Sequence, residues 1–339
     1  MELVRLEEGK EESLAEAVAA RIKAGQVVIT PTDTVYGLIA DGFNRKASER
    51  LYTIKSREKD KPLIGFVPDL QAAAKYASIA PEHWPLVRKS WPGPVTFIFP
   101  GRQKIPPLTS PRQEIGLRVP DHPFLKRLLP LTGLLSSTSA NFSGQPAACC
   151  VEEISPRLAG LVDLVLDGGR VAGTASTIWH LGSRQPRLVR GLVLFICEGN
   201  SCRSPMAEYL LREEVGKVRV AIQVLSAGLN VAPAAAVSEK AVQALAEKGI
   251  KVAAVTSQPV TPELLRKAAL IFVMEEEQKN RVEQVLPEAA GKMRILNVPD
   301  PAGGDMERYR WTRERLSQAL KESVWPEIWT EVVTREPRG

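Results

Sequence analysis

The densest group of reactive side chains follows Ile196. The chain there reads Cys197-Glu198-Gly199-Asn200-Ser201-Cys202-Arg203-Ser204 and continues Pro205-Met206-Ala207-Glu208. A thiol and a guanidinium spaced C-x5-R, between an apolar run and a helix-forming one, describe a loop that wraps an anion. The N–H groups of a tightly wound loop converge, and the positive end of the following helix adds to their potential. Gly199 and Asn200 tolerate the left-handed backbone that such winding needs. Pro205 suits the first helical position, and Ser204 suits the cap before it. In that field Cys197 is favoured as thiolate, the form that attacks. Arg203 can grip two phosphate oxygens in a fork, and Ser204 can hydrogen-bond the sulfur and ease its departure. The residues thus predict attack by a cysteine on a bound phosphate group.

The first half carries polar clusters of another kind. They are Pro31-Thr32-Asp33-Thr34-Val35-Tyr36-Gly37-Leu38, Lys55-Ser56-Arg57 with Lys61, Trp91-Pro92-Gly93-Pro94-Val95-Thr96, Gly116-Leu117-Arg118-Val119-Pro120, Ser137-Thr138-Ser139-Ala140-Asn141-Phe142-Ser143-Gly144, Ser176-Thr177-Ile178 and Arg190-Gly191. Cations gathered with small hydroxyls and amides around one cleft suit a triphosphate and a small polar substrate. No G-x4-G-K-[ST] segment occurs, so the site is not a P-loop. Residue chemistry alone reaches no further than a phosphorylated ligand.

Strands alternating with helices must position these clusters. The apolar patterning predicts strands over 26–30, 63–67, 95–99, 115–119, 134–137, 161–166, 176–179 and 187–189, with a helix near 45–55. A second alternation starts with a strand at 192–196. It continues through strands near 218–225, 269–273 and 293–296 and helices near 205–215, 237–248, 262–268, 275–286 and 309–321. The fold class is therefore α/β in both halves. With 339 residues, two domains are expected, 1–190 and 191–339, meeting in the polar stretch 182–191. Hydrophobic residues at 44% and charged ones at 25% suffice for two cores, and a net charge of +6 suits phosphate-bearing substrates without by itself implying nucleic acid. The charged start lacks the apolar run of a secretory signal, and no run approaches the ~20 residues of a membrane helix, so a cytoplasmic location is expected. Cys149-Cys150 and the Cys197/Cys202 pair do not form a secreted disulfide framework, and His83, His122 and His180 cluster with nothing, so no metal site is expected.

The second half resembles the low-molecular-weight protein-tyrosine-phosphatase family over about residues 191–318, through the cysteine loop, Ser226-Ala227-Gly228, Asp300-Pro301 and Tyr309. The resemblance implies a doubly wound parallel-sheet domain in which Cys197, Arg203 and Ser204 act as above and Asp300 is the general acid. It leaves Cys202 open to a reversible protective disulfide or to simple packing. A sister activity, thioredoxin-coupled arsenate reduction, needs further cysteines downstream, and none follows Cys202. Two substrates remain for the phosphatase: phosphoarginine and phosphotyrosine. Ser201 stands where phosphotyrosine enzymes carry a bulky aliphatic residue, and Ala302-Gly303 stand where they carry aromatics. The run Asp300-Pro301-Ala302-Gly303-Gly304 is similar to that of arginine phosphatases, so a phosphoarginine protein is the expected substrate. Glu198 is expected to point outward toward a cationic leaving group.

The first half resembles the YrdC-type threonylcarbamoyl-adenylate synthases over about residues 3–191, through P-T-D-T-x-Y-G-L, K-x-R and S-A-N-x-S-G in that order. This implies a twisted α/β sheet domain with a concave basic face. It implies synthesis of threonylcarbamoyl-AMP from L-threonine, bicarbonate and ATP, with Mg2+ accompanying ATP and no tightly bound cofactor. The product would pass to a separate transferase that modifies tRNA. On the matched positions, Lys55, Arg57, Lys61, Asn141 and Arg190 serve ATP, and Thr34, Arg118, Ser139 and Ser176 hold threonine and its carbamate. The alternative is an RNA-binding module in the basic cleft, although no interleaving of aromatic and basic residues supports it.

Overall fold

The computed structural model describes residues 2–7, 9–58, 62–218, 220–233, 235–252 and 256–328. The chain divides into two compact units, Met1–Pro186 and Arg187–Gly339. Among the described residues no helix is long and apolar enough to cross a membrane.

The first unit is a mixed sheet with helices on both faces. Its strands are β1 (Glu2–Arg5), β2 (Val28–Thr30), β3 (Gly37–Asp41), β4 (Ile64–Phe66), β5 (Val95–Pro100), β6 (Glu114–Arg118), β7 (Leu135–Ser139), β8 (Leu164–Asp167) and β9 (Thr177–His180). They lie in the order β1-β8-β2-β3-β7-β4-β6-β5-β9. The helices are α1 (Glu11–Lys23), α2 (Arg45–Lys55), α3 (Leu70–Tyr76), α4 (Trp84–Ser90), α5 (Pro123–Thr132) and α6 (Pro156–Ala159). The period-2 alternation of the strands sorts the core. Val28, Ile39, Leu135, Leu164 and Leu166 face α1 and α5, which contribute Val18, Ile22, Phe124 and Leu128. Ile29, Leu38, Ala40 and Val165 face the other way, toward Leu51, Tyr52 and Ile54 of α2 and the aromatic group Trp91, Phe97 and Phe99. Helix α2 is delimited by its own sequence. Asn44 caps it by accepting from the Ala47 N–H at 3.1 Å, and Ser56 ends it in the left-handed conformation at φ 52°. That puts Lys55 on the last turn.

The second unit is an all-parallel sheet. Its strands are β10 (Arg187–Cys197), β11 (Ala221–Gly228), β12 (Ala268–Val273) and β13 (Met293–Ile295), and β10 pairs β11 on one side and β12 on the other, with β13 beside β12. Helices α7 (Arg203–Gly216), α8 (Glu239–Ala246), α9 (Pro262–Lys267), α10 (Glu276–Val285) and α11 (Met306–Ala319) follow in turn. Leu192, Leu194 and Ile196 of β10 pack toward Leu265 of α9 and Val282 of α10. Phe195, on the opposite face of that strand, stacks on Phe272 with ring centroids 5.6 Å apart. A parallel sheet sandwiched in this way makes its strands continuous apolar runs, which is how β10 and β12 read.

The separate strands expected at 187–189 and 192–196 are a single strand, β10. No proline interrupts the run after Pro186, and Gly191 sits within the pairing, opposite Ile222. Arg190 and Gly191 read as a break between the two expected strands, yet they belong to the one strand that opens the second unit.

Candidate active sites

Lys55 is the organising residue of the first unit's site. Its ammonium is buried, at 2% exposure, and a buried cation needs oxygen partners to offset lost hydration. The Nζ donates to the Ser139 carbonyl at 2.6 Å, to the Asn141 Oδ1 at 2.7 Å and to the Ser139 Oγ at 3.2 Å. Ser139 closes β7, and its hydroxyl also donates to the Asn141 Oδ1 at 2.6 Å. The Asn141 amide donates to the Gln145 carbonyl at 2.5 Å, which fixes its orientation. The K-x-R and S-A-N motifs therefore meet at one point, although 84 residues separate Lys55 from Ser139.

A second cluster lies around Arg118, at the end of β6 and likewise buried. Its guanidinium donates to the Thr34 Oγ1 at 3.0 Å, the Asp33 Oδ1 at 2.5 Å and the Gly93 carbonyl at 3.0 Å. Burial pulls this guanidinium below its usual range, against the opposing pull of Asp33. Thr32 Oγ1 lies 2.8 Å from Thr34 Oγ1 and accepts from the Thr34 N–H at 3.0 Å, so the loop before β3 is held rigid. The Gly173 N–H donates to the Thr34 carbonyl at 2.8 Å, which ties the segment leading to Ser176 onto the same loop. Ser176 is buried and lies 3.0 Å from the Thr96 hydroxyl on β5. Gly37 stands opposite Ser139 in the β3–β7 register, so the Thr34 loop adjoins the Lys55 cluster.

Of the expected ligands, Lys55, Ser139 and Asn141 bond directly, Thr34 bonds to Arg118, and Ser176 bonds to a neighbouring strand. Arg57 is half-buried just past α2 and donates to the Pro62 carbonyl at 3.1 Å. Lys61 lies outside the described residues. Arg190 stands on β10, in the second unit. Sequence reasoning did not assign Asp33. Its carboxylate neutralises Arg118, and its Oδ2 is buried without a hydrogen bond. The available signal was the requirement that a buried arginine have a counter-charge.

In the second unit the thiol sits where β10 delivers it. Cys197 is buried, and its sulfur lies 3.0 Å from the Ser204 Oγ. Asn200 takes the left-handed conformation at φ 51°, while Gly199 does not. The side chain of Asn200 locks the turn: its Nδ2 donates to the Ser204 Oγ at 3.0 Å and the Ser226 Oγ at 2.8 Å, and its Oδ1 accepts from the Gln258 N–H at 2.9 Å. Gly228 ends β11 against this loop. A Cβ there would meet the Asn200 nitrogen at 2.7 Å and the Gly199 carbonyl carbon at 2.8 Å, so only glycine fits. Helix α7 starts at Arg203 with Cys202 at the cap position and no side-chain cap bond. Ser204 is thus not the helix cap; its hydroxyl is turned to the sulfur.

Among the described residues, Arg203 is the largest fully buried side chain. Its Nη1 donates to the Glu275 Oε2 at 2.7 Å and the Val298 carbonyl at 3.1 Å, and its Nη2 to the Asp300 Oδ2 at 2.5 Å. Asp300 is held by its own turn, its Oδ1 accepting from the Ala302 N–H at 3.0 Å. Cys197 is thus in contact with Ser204, and Arg203 with Asp300. Ser201 is half-buried, with its hydroxyl 3.6 Å from the Cys202 sulfur. The Cys202 sulfur lies 3.3 Å from the Tyr309 hydroxyl, and all four cysteines are free thiols. Glu198 does not stand unpaired toward a leaving group: the Arg281 Nη1 donates to its Oε2 at 2.6 Å. Glu275 and Arg281, which sequence reasoning did not assign, supply the counter-charges of this site.

A family model described as telomere recombination, covering the Sua5, YciO and YrdC proteins, matches residues 20–191. A model described as low molecular weight phosphotyrosine protein phosphatase matches residues 192–333. The chain is 40% identical over 156 residues to the threonylcarbamoyl-AMP synthase of Vibrio vulnificus, which covers 44% of this chain and 84% of that protein. Escherichia coli YciO is 27% identical, with a TM-score of 0.52 over 56% of this chain and 93% of its own. The structure of Pyrococcus abyssi Sua5 complexed with L-threonine is 20% identical, with a TM-score of 0.54 over 94% of this chain and 98% of its own, a likeness of fold.

Proposed function

As the chain belongs to the Sua5/YciO/YrdC family through its first unit and carries a low-molecular-weight phosphatase domain in its second, we propose that it makes threonylcarbamoyl-AMP and, separately, dephosphorylates phosphoarginine in proteins. The observation that carries the first activity is the junction of Lys55 with Ser139 and Asn141. It concentrates positive charge and fixed dipoles where a triphosphate would lie. Arg118, aligned by Asp33 and Thr34, is the group for the threonine carboxylate and its carbamate. The relative named with L-threonine bound supports that amino acid as substrate. In this reading threonine's amine and CO2 from bicarbonate give a carbamate. The carbamate oxygen attacks the α-phosphorus, and pyrophosphate leaves. The protein's part is positioning and charge neutralisation. Magnesium would accompany ATP on its phosphates. The product is an activated acyl group, and a transferase acting on tRNA is the partner that would consume it.

The phosphatase reading rests on Cys197 with Ser204 at 3.0 Å and Arg203 between the sulfur's loop and Asp300. The sulfur attacks phosphorus, and the P–N bond breaks as the departing guanidine nitrogen takes a proton from Asp300. Water then displaces the sulfur, returning the proton to Asp300. Phosphoarginine is preferred because Ser201 is small and hydroxylic and Ala302-Gly303 provide no aromatic wall for a phenol ring. Glu198, paired with Arg281, gives that choice no independent support. The test runs pyrophosphate release, with threonine and bicarbonate omitted in turn, beside hydrolysis of phosphoarginine and phosphotyrosine peptides. Threonine-independent ATP turnover would sink the first activity. For the second, Ser201→Ile should lower the phosphoarginine-to-phosphotyrosine ratio of kcat/KM; a wild type that prefers phosphotyrosine, or an unmoved ratio, refutes the substrate.

A further inference from the structure

Helix α11 follows the Asp300 turn and carries four arginines, Arg308, Arg310, Arg313 and Arg315. Two of them are neutralised. The Arg310 Nη2 donates to the Glu247 Oε1 at 2.8 Å, and Arg313 reaches Glu247 at 3.3 Å and Glu314 at 2.6 Å. The acids nearest the helix start, Asp305 and Glu307, add to the field around Arg310. Among the described residues Arg308 and Arg315 make no ion pair, and both are exposed. Between them stands Trp311, 50% exposed, the one exposed aromatic ring of the second unit among the described residues. A single exposed apolar side chain is ordinary; the setting of this one is not. Positions 308, 311 and 315 are three and four residues apart, so they line one face of the helix. Tyr309, Thr312, Arg313 and Leu316 fill the buried face.

The strip starts at the phosphatase site. The Arg308 Nη2 donates to the Asp300 carbonyl at 3.1 Å. Its Cδ folds over Gly304, where an added Cβ would come within 2.5 Å of it. Arg315 lies seven residues further on, about 10 Å along the helix axis. An extended peptide covers that distance in about three residues. The helix therefore offers a positive charge, an apolar plate and a second positive charge, in a line that leads away from the Asp300 turn. We propose that this strip docks the phosphorylated protein itself: it takes an extended acidic segment beside the modified residue, with carboxylates about three residues apart meeting Arg308 and Arg315 and an apolar side chain lying on Trp311. The proposal rests on the phosphatase reading and adds the class of sequence selected. Continuity with the Asp300 turn favours the substrate over an unrelated partner, and two unneutralised guanidinium groups select an acidic segment over a basic one.

The test compares kcat/KM of the full chain on two phosphoarginine peptides of equal length. One is flanked by acidic residues and leucines, and in the other each acid is replaced by its amide. An exposed ion pair contributes up to about fivefold. The wild type should therefore prefer the acidic peptide by about five- to twentyfold at low salt, through KM, and lose most of that preference at about 0.5 M salt. Arg315→Glu should erase the preference and favour a lysine-flanked peptide instead, while kcat and the turnover of free phosphoarginine stay within about twofold. Trp311→Ser should weaken both peptides by about threefold, independently of salt. Both positions are exposed, so unchanged melting temperatures are expected and exclude misfolding. A wild type that treats the two peptides alike, or an Arg315→Glu chain that keeps the preference, overturns the strip. An RNA oligonucleotide whose binding is lost in Arg315→Glu, with the peptides indistinguishable, gives the surface to nucleic acid and overturns it equally. A wild type that hydrolyses phosphotyrosine and not phosphoarginine refutes the substrate alone, and the same acid-to-amide comparison on phosphotyrosine peptides then decides the strip. Fluorescence anisotropy of the labelled, unphosphorylated acidic peptide separates the two readings further: binding that Arg315→Glu abolishes supports the surface whether or not either phosphate is hydrolysed.

Discussion

Replacing Lys55 by methionine keeps the length of the side chain and removes its charge. Two consequences separate. For the fold, the Ser139 carbonyl loses its 2.6 Å donor; a buried acceptor left bare costs about 1–3 kcal/mol. The Asn141 Oδ1 still accepts from Ser139 at 2.6 Å, and its amide still donates to Gln145. Methionine also escapes the desolvation that a buried ammonium bears, so Lys55→Met should fold with a net loss of about 1–2 kcal/mol. For the reaction, a cation about 4 Å from a phosphate oxygen contributes at most roughly 4 kcal/mol at an effective dielectric constant of 20. A loss of about 2–4 kcal/mol in the transition state is about 30- to 900-fold in kcat/KM for ATP. The assay is threonine-dependent pyrophosphate release at limiting ATP, with threonine affinity measured by calorimetry. Threonine binding should stay within about threefold, because Arg118 is aligned by Asp33, Thr34 and Gly93 through its own bonds. A folded Lys55→Met with wild-type kcat/KM for ATP would make Lys55 a strut between α2 and β7 and overturn its assignment to the nucleotide.

Cys197→Ser should abolish phosphatase turnover and leave pyrophosphate release unchanged, since, Arg190 apart, the two motif sets occupy different compact units; collapse of both activities in a folded variant would contradict independent sites. Tyr36 is fully buried, donates to the Gly169 carbonyl at 2.7 Å and accepts from the Gly168 N–H at 3.0 Å, so Tyr36→Phe should cost about 1–2 kcal/mol in urea unfolding. Burial pushes its phenol up to about 12, against the Gly168 hydrogen bond. The folded chain keeps this proton where the unfolded chain releases it, so the stability it contributes is intact below about pH 10 and is lost as pH rises toward 12. Urea midpoints from pH 9 to 11.5 should decline less steeply in Tyr36→Phe than in wild type, and parallel declines would refute the linkage.

Strands were legible where short runs rich in β-branched and aromatic residues stand, as in Val95–Pro100 and Ala268–Val273, because their length and residue types favour a buried strand over a helix. Three kinds of element were hidden. Strand β3 begins at Gly37 and ends at Asp41, so its ends carry loop residues and its interior lay inside a polar motif. Helix α5 starts at Pro123 and contains Pro130; proline reads as a stop, yet near a helix end it costs little when Phe124, Leu125 and Leu128 pack under the sheet beside α1. Strand β10 runs through the stretch expected to separate the domains. Local composition predicted a connector there, whereas pairing with β11 from Arg190 onward holds the strand extended.

The site residues themselves were legible as types at fixed spacing; their counter-charges were not. A buried cation announces that oxygen partners are needed, but not whether one of the 39 acidic residues supplies them or which. That choice belongs to sheet register: Arg118 reaches Asp33 across 85 residues, Arg203 reaches Glu275 across 72 and Asp300 across 97, and Arg281 reaches Glu198 across 83. The Arg203 case changes how the chemistry must run. The guanidinium assigned to phosphate and the carboxyl assigned to the leaving group hold each other at 2.5 Å, and the same N–H cannot serve both. Phosphate entering the cysteine loop must compete with Asp300 for Arg203, while Glu275 and the Val298 carbonyl keep the guanidinium in place. On the proposed phosphatase reading, substrate binding would free Asp300 from the ion pair to take up a proton and turn it toward the leaving group, coupling the grip on phosphate to the proton transfer that follows.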